Sequence, residues 1–223
     1  MSLSPVDQLP LDLPTTAQAA RADLVVASSN SHAAACVDAW PDWAAPVAVL
    51  AGPTGSGKSH LASIWSSMSH AVVLSPGDAV LAGRAMLLED VTAGGFSDEW
   101  LFHAMNAAMQ PGGSLLITSR QWPGEWGVSL PDLQSRLRLV HLVELHEPND
   151  ELLRGVLFKL FADRQLIVDA AVIDYCITRM ERSLASALAV VRQLDVLSLA
   201  RKQAITKPLV AEALRMTEEG AIA

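Results

Sequence analysis

The sequence predicts an α/β fold: a five-stranded parallel sheet followed by a small unit made only of helices. Three observations predict it. Short apolar runs alternate with segments of helical spacing through the first two thirds of the chain, the first run leads through a glycine-rich turn into a helical segment, and after Pro148 no strand-like run recurs. Short apolar strands separated by helices are the pattern of a parallel sheet covered on both faces.

Residues 1–20 have a composition of their own. Pro5, Pro10 and Pro14 interrupt alternating Leu9, Leu11 and Leu13, and prolines suit neither a helix interior nor a central strand, so an extended tail is expected. Val47 to Ala51 reads as the first strand and Ser59 to Met68 as the helix after the glycine-rich turn. Ala71 to Leu74, Ala85 to Leu88 and Ser114 to Ile117 read as strands two to four. Between the last two, Asp98 to Met109 places Trp100, Leu101, Met105 and Met109 at helical spacing. Leu139 to Leu145 alternates Leu139, His141, Val143 and Leu145 on one side, a fifth strand. Helices follow over 150–164, 169–181, 184–200 and 207–216, with Asn149 capping the first and Pro208 in the first turn of the last. The expected organisation is a tail (1–20), an α/β core (21–147) and a helical unit (148–223).

Composition narrows the function. The 223 residues are 51% hydrophobic and 18% charged with a net charge of −8, a folded chain without the basic face of a dedicated DNA-binding protein. Only four of its 16 Lys and Arg lie in the first 120 residues. Cys36 and Cys176 lie far apart and match no metal or redox spacing, so both read as buried small hydrophobes. There is no basic, then apolar, leader, and no apolar stretch approaches the ~20 residues of a membrane span. A soluble cytoplasmic protein is expected, with no membrane partner.

The strongest chemical signal is Gly52-Pro53-Thr54-Gly55-Ser56-Gly57-Lys58-Ser59, a full G-x-x-x-x-G-K-[ST] between an expected strand and an expected helix. Backbone N–H groups of such a loop wrap a phosphate, its glycines allow close approach, and the helix N-terminus adds partial positive charge. Lys58 is placed to neutralise the β- and γ-phosphates, and the Ser59 hydroxyl to coordinate Mg²⁺. A second requirement of this chemistry is an acid at the end of a neighbouring strand. Glu89-Asp90, 31 residues after Lys58, supplies it.

Several further segments recur in one order, and together they resemble the AAA+ ATPase core of the DnaA family of bacterial replication initiators, most closely its short Hda-type regulatory members. The loop continues as Gly57-Lys58-Ser59-His60-Leu61, similar to the family's G-K-[ST]-H-L, and Glu89-Asp90 sits where the family has its Walker B pair. Glu99-Trp100-Leu101-Phe102-His103-Ala104-Met105-Asn106 resembles the helix that follows, and Leu116-Ile117-Thr118-Ser119 the sensor I strand. Asp132-Leu133-Gln134-Ser135-Arg136-Leu137 resembles the box VII segment that carries an arginine finger, and Arg182-Ser183-Leu184-Ala185-Ser186-Ala187-Leu188 the sensor II helix of the lid. In the tail, Gln8-Leu9-Pro10-Leu11-Asp12-Leu13 resembles the Q-L-x-L-x-L clamp-binding peptide of the Hda type, which lays its leucines in an apolar groove.

The resemblance implies a site for ATP or ADP with Mg²⁺, held by residues 52–60 and Arg182, with Ser59 and Glu89 on the metal and Glu89, Asp90 and Arg136 in catalytic roles. Arg136 would act in trans, on the nucleotide of a neighbouring DnaA. Gln8, Leu9, Leu11 and Leu13 would bind the β sliding clamp of DNA polymerase III. The helix-turn-helix domain that follows the DnaA core has no counterpart in this sequence, so DNA would be reached only indirectly, through the clamp. The implied function is negative regulation of replication initiation by stimulating ATP hydrolysis on DnaA; the alternative is an autonomous ATPase similar to DnaA or a helicase loader. ATP and ADP both stay open as working ligand, as does self-association. Two departures bear on the chain's own hydrolysis: Glu89 replaces the first Walker B Asp, and Arg120 replaces the acid after the sensor I Thr-Ser. Weak hydrolysis is therefore expected.

Overall fold

The computed structural model describes residues 21–220. Five strands form one wholly parallel sheet: β1 (Val47–Ala51), β2 (Val72–Leu74), β3 (Ala85–Val91), β4 (Ser114–Ser119) and β5 (His141–Glu144), in the order β2-β3-β4-β1-β5. Every residue of β1 and β4 is buried, as befits central strands with helices on both faces. Val47 pairs with Leu115 and Ala51 with Ser119, which brings the C-terminal ends of these two strands level beneath the glycine-rich loop.

The helices of the core are α1 (Ser31–Asp38), α2 (Lys58–Ser69), α3 (Asp98–Ala108) and α4 (Pro131–Leu137). One face of the sheet packs on α3 and α4 through Leu101, Met105 and Leu133, joined by Trp126 from the segment before α4, the other on α1 and α2 through Val37, Leu61, Ile64 and Trp65. Trp65 is fully buried, stacked on Trp43 at 5.4 Å between ring centroids and edge-on to Trp40 at 6.2 Å, arrangements that add to the area term of burial. Four helices follow: α5 (Asp150–Asp163), α6 (Ala170–Ile177), α7 (Leu184–Arg201) and α8 (Lys207–Gly220). They enclose a separate apolar core of Leu157, Phe161, Cys176, Val190, Leu194 and Val210. Asn149 caps α5, its side chain accepting from the Leu152 amide at 2.9 Å.

The expected strands and C-terminal helices are present with shifted ends. β3 and β4 run on to Val91 and Ser119, whereas β5 starts at His141 because Leu139 is 73% exposed. Helices α1 and α4 are additions to the sequence reading. Both cysteines are buried and free, with burial pushing each thiol up to about 11, so they act as apolar filling. Among the described residues no helix is long and apolar enough to cross a membrane.

Candidate nucleotide site

The glycine-rich loop joins β1 to α2 in conformations that side chains disfavour. Gly55 and Gly57 have φ of 77° and 101°, in the range where glycine alone carries no Cβ penalty. A Cβ on Gly52 would lie 2.2 Å from the Leu145 carbonyl oxygen, so the loop starts wedged against the chain leaving β5. The Lys58 ammonium donates to the carbonyls of Gly52 and Pro53, each at 2.7 Å, and lies 3.5 Å from the buried Ser56 hydroxyl. Lys58 is itself buried, and desolvation holds its pKa below the ordinary lysine value, partly offset by the Asp90 charge.

The helical unit closes directly on this loop. The Leu184 amide donates to the Gly55 carbonyl at 2.9 Å, and Ser183 caps α7 by accepting from the Ser186 amide at 3.0 Å. A Cβ on Gly55 would fall 2.3 Å from the Ser183 Cβ, and one on Gly57 3.0 Å from a Leu184 methyl.

Between core and lid lies a cavity of about 820 Å³, within the size range of small-molecule sites. The core contributes Thr54, Gly55, Gly57, Lys58, Ser59, His60, Asp90, Thr118 and Arg120 to its wall. Its apolar wall comes from the chain before α1 (Leu24, Val25) and from the lid (Leu152, Val156, Leu160, Leu188). Lys159 of α5 reaches across to Asp23 at 2.9 Å and to Asp163 at 3.0 Å, tying the N-terminal strand of chain to the lid. That hinge is further held by Asn149, which donates to the Ser28 hydroxyl at 2.8 Å. Desolvation in the cleft lowers the His60 pKa, with Asp23 opposing.

Of the residues singled out from the sequence, the structure gathers Thr54, Gly55, Gly57, Lys58, Ser59, His60 and Asp90 on this wall. Gly52 and Pro53 serve through their carbonyls to Lys58. Glu89 stands elsewhere. It is exposed and does not line the cavity, because alternate residues of β3 point to opposite faces and a register shift between Leu88 and Val91 turns Asp90 inward. Arg182 also stays off the wall: it pairs with Asp150 at 2.7 Å and donates to the Pro148 carbonyl at 3.2 Å, at the hinge where α5 begins. Arg136, half-buried on α4, rests its guanidinium 4.7 Å over the Phe102 ring and contacts the Met109 sulfur, again outside the cavity. Gln8, Leu9, Leu11 and Leu13 lie outside the described residues.

Leu24, Val25, Asp23 and the α5 residues on the wall escaped the sequence reading. The only signal for them was the helical spacing of Leu152, Val156 and Leu160, which marks an apolar stripe without saying what it faces.

The loop and cavity fit a nucleotide: a ring of left-handed glycines, a buried lysine and an apolar wall large enough for a base. They do not fit the Mg²⁺ pair expected of Ser59 and Glu89. Glu89 does not line the cavity, and the strand-end carboxylate that does, Asp90, is engaged by Arg120 through bonds of 3.0 and 2.8 Å.

A family model described as the Hda lid domain matches residues 151–214. The chain is similar in fold to domain III of the Thermotoga maritima replication initiation protein DnaA, with a TM-score of 0.75 over 91% of this chain and 98% of that one at 17% identity. The chain has an AAA+ fold, and its helical lid segment is similar to the Hda lid domain. The fold extends to AMPPCP-bound DnaA from Aquifex aeolicus (TM-score 0.67, 17% identity, 83% of this chain and 69% of that one). It also extends to the Thermotoga maritima RuvB Holliday junction branch migration motor (TM-score 0.61, 18% identity, 76% and 61%). An uncharacterized protein of Haemophilus influenzae is 26% identical over 190 residues, 77% of this chain and 82% of that protein. The matched lid segment is the part of this chain that carries Leu152, Val156, Leu160 and Leu184, on the apolar side of the cavity.

Proposed function

We propose that the chain regulates the initiation of chromosomal replication in the manner of the Hda type. It binds adenine nucleotide between core and lid, docks on the β sliding clamp through Gln8, Leu9, Leu11 and Leu13, and presents Arg136 to ATP-bound DnaA to stimulate hydrolysis there. The nucleotide part is supported by the loop geometry and by a neighbour of the same fold that holds AMPPCP. The observation that carries the trans-acting part is the posture of Arg136. It takes no part in the chain's own cavity, it pairs with no carboxylate among the described residues, and it rests on an aromatic ring from which it can extend. A guanidinium so placed stabilises charge developing on a phosphoryl group supplied by another subunit.

The reading as an autonomous ATPase requires Glu89 and Asp90 to orient metal and water in the chain's own site, and the pairing of Asp90 with Arg120 speaks against it. Capture of purified clamp by the wild-type chain, compared with a Gln8→Ala, Leu9→Ala variant, tests the docking. The wild type is expected to retain clamp and the variant to lose it; equal retention removes the tail from the account. DNA-stimulated ATP turnover by the purified chain without DnaA or clamp would favour the autonomous enzyme instead.

A further inference from the structure

The cavity contains an ion pair that nucleotide binding by the loop does not require. Where β3 shifts register against β4, Asp90 adopts a left-handed backbone, φ 50°, a conformation that aspartate tolerates better than most residues. Its amide donates to the Thr118 hydroxyl at 2.9 Å. Its two carboxylate oxygens each accept one bond from Arg120, Nε to Oδ1 at 3.0 Å and Nη2 to Oδ2 at 2.8 Å. Both side chains line the cavity beside Lys58 and Ser59. Such fork-to-fork pairing is the strongest and most directional form of guanidinium–carboxylate contact.

A divalent ion held between the loop hydroxyl and a strand-end acid depends on that acid's free oxygens. Here each oxygen of Asp90 already accepts a bond from Arg120, Glu89 does not line the cavity, and among the described residues no three His, Cys, Asp or Glu side chains converge to hold a metal. In the same wall stands the Arg120 guanidinium. The pair is half exposed, with 55% and 54% of the two side chains accessible, so it adds little to the stability of the fold. Variants at Arg120 are therefore expected to fold.

We propose that Arg120, locked in place by Asp90, supplies the cationic group that a divalent metal supplies in other phosphate-loop sites, so that this chain binds adenine nucleotide without a metal ion. The inference rests on the nucleotide reading of the cavity and concerns how that site neutralises its ligand. Lys58 provides a fixed positive charge and α2 the partial charge of its N-terminus, and Arg120, its own charge balanced by Asp90, adds the guanidinium N–H groups that Asp90 leaves free to donate to a phosphate.

The test is titration of a fluorescent ADP analogue (mant-ADP) into the full-length chain, once in buffer with Mg²⁺ and once in EDTA, with the rise in melting temperature on adding ADP as an independent readout. The wild type is expected to bind with the same affinity in both buffers. Arg120→Gln removes the cation and frees Asp90, so its affinity in EDTA should fall about tenfold, equivalent to ~1.4 kcal/mol, and Mg²⁺ should restore it. Arg120→Lys keeps a charge and should retain part of the EDTA binding. Wild-type binding that vanishes in EDTA overturns the proposal and leaves the nucleotide reading standing. Arg120→Gln binding as tightly as wild type in EDTA removes Arg120 from the site. Failure of the wild type to bind in either buffer overturns the nucleotide reading and the proposal together.

Discussion

Gly55→Ala isolates the contact between loop and lid. At φ 77° an L-residue sits in the left-handed region, which costs about 1 kcal/mol relative to glycine. The new methyl would also lie 2.3 Å from the Ser183 Cβ and 3.3 Å from its Cα, where ordinary contact begins near 3.4 Å. The start of α7 must then retreat by about 1 Å, which stretches the Leu184 amide bond to the Gly55 carbonyl from 2.9 Å and forfeits about 1 kcal/mol more. The sum, about 2 kcal/mol, corresponds to a fall in Tm of roughly 4–8 °C for a chain of this size. Gly94→Ala is the matched control, since its φ of 73° imposes similar strain while nothing lies within 4 Å of its Cβ; it should lose about half as much. The assay is calorimetric melting together with fluorescent nucleotide titration. Gly55→Ala should also weaken nucleotide binding at least about tenfold through the displaced lid, whereas Gly94→Ala should not. Equal losses of Tm in the two variants, with wild-type affinity in Gly55→Ala, would refute the closure of lid on loop.

Lys58→Ala removes the buried ammonium of the loop and should weaken nucleotide binding roughly 10- to 100-fold, the loss of a charge-assisted bond, with circular dichroism unchanged. Phe161→Ala empties the centre of the lid core, where Phe161 is 2% exposed, and should cost about 3–5 kcal/mol in urea unfolding. Desolvation lowers the pKa of His60 from 6.5, with Asp23 raising and Lys159 further lowering it. The unfolded chain therefore takes up its proton first as pH falls, so the stability present above pH 6.5 is lost as pH drops through the folded-state value. His60→Gln should flatten that acid limb in urea midpoints, and an unchanged slope would show that His60 is not desolvated.

What the sequence disclosed was mostly contiguous. The phosphate loop is legible because eight consecutive residues carry both its glycines and its lysine, and β1 and β4 because burial on both faces leaves uninterrupted apolar runs. Helix α1 was hidden in SHAAACVD, whose alanines and single histidine offer little contrast between faces. Helix α4 is seven residues opened by Pro131 and gives too short a period to read. The cavity's apolar wall joins Leu24 to Leu188 across most of the chain, a proximity that only the fold supplies. Arg120 and Glu89 were each visible as departures from the family pattern, and Asp90 as the second acid of the pair. That Arg120 grips Asp90, and that Glu89 faces away, depends on a one-residue register shift in β3 that no local pattern announces.

The central claim is that this chain acts on its partner's nucleotide through Arg136. The direct measurement is the rate at which DnaA hydrolyses bound ATP in the presence of clamp-loaded DNA and either the wild-type chain or Arg136→Ala. Arginine fingers supply on the order of 10³-fold or more in rate, so the variant should lose nearly all stimulation while binding nucleotide and clamp as the wild type does. Full stimulation by Arg136→Ala would contradict the account.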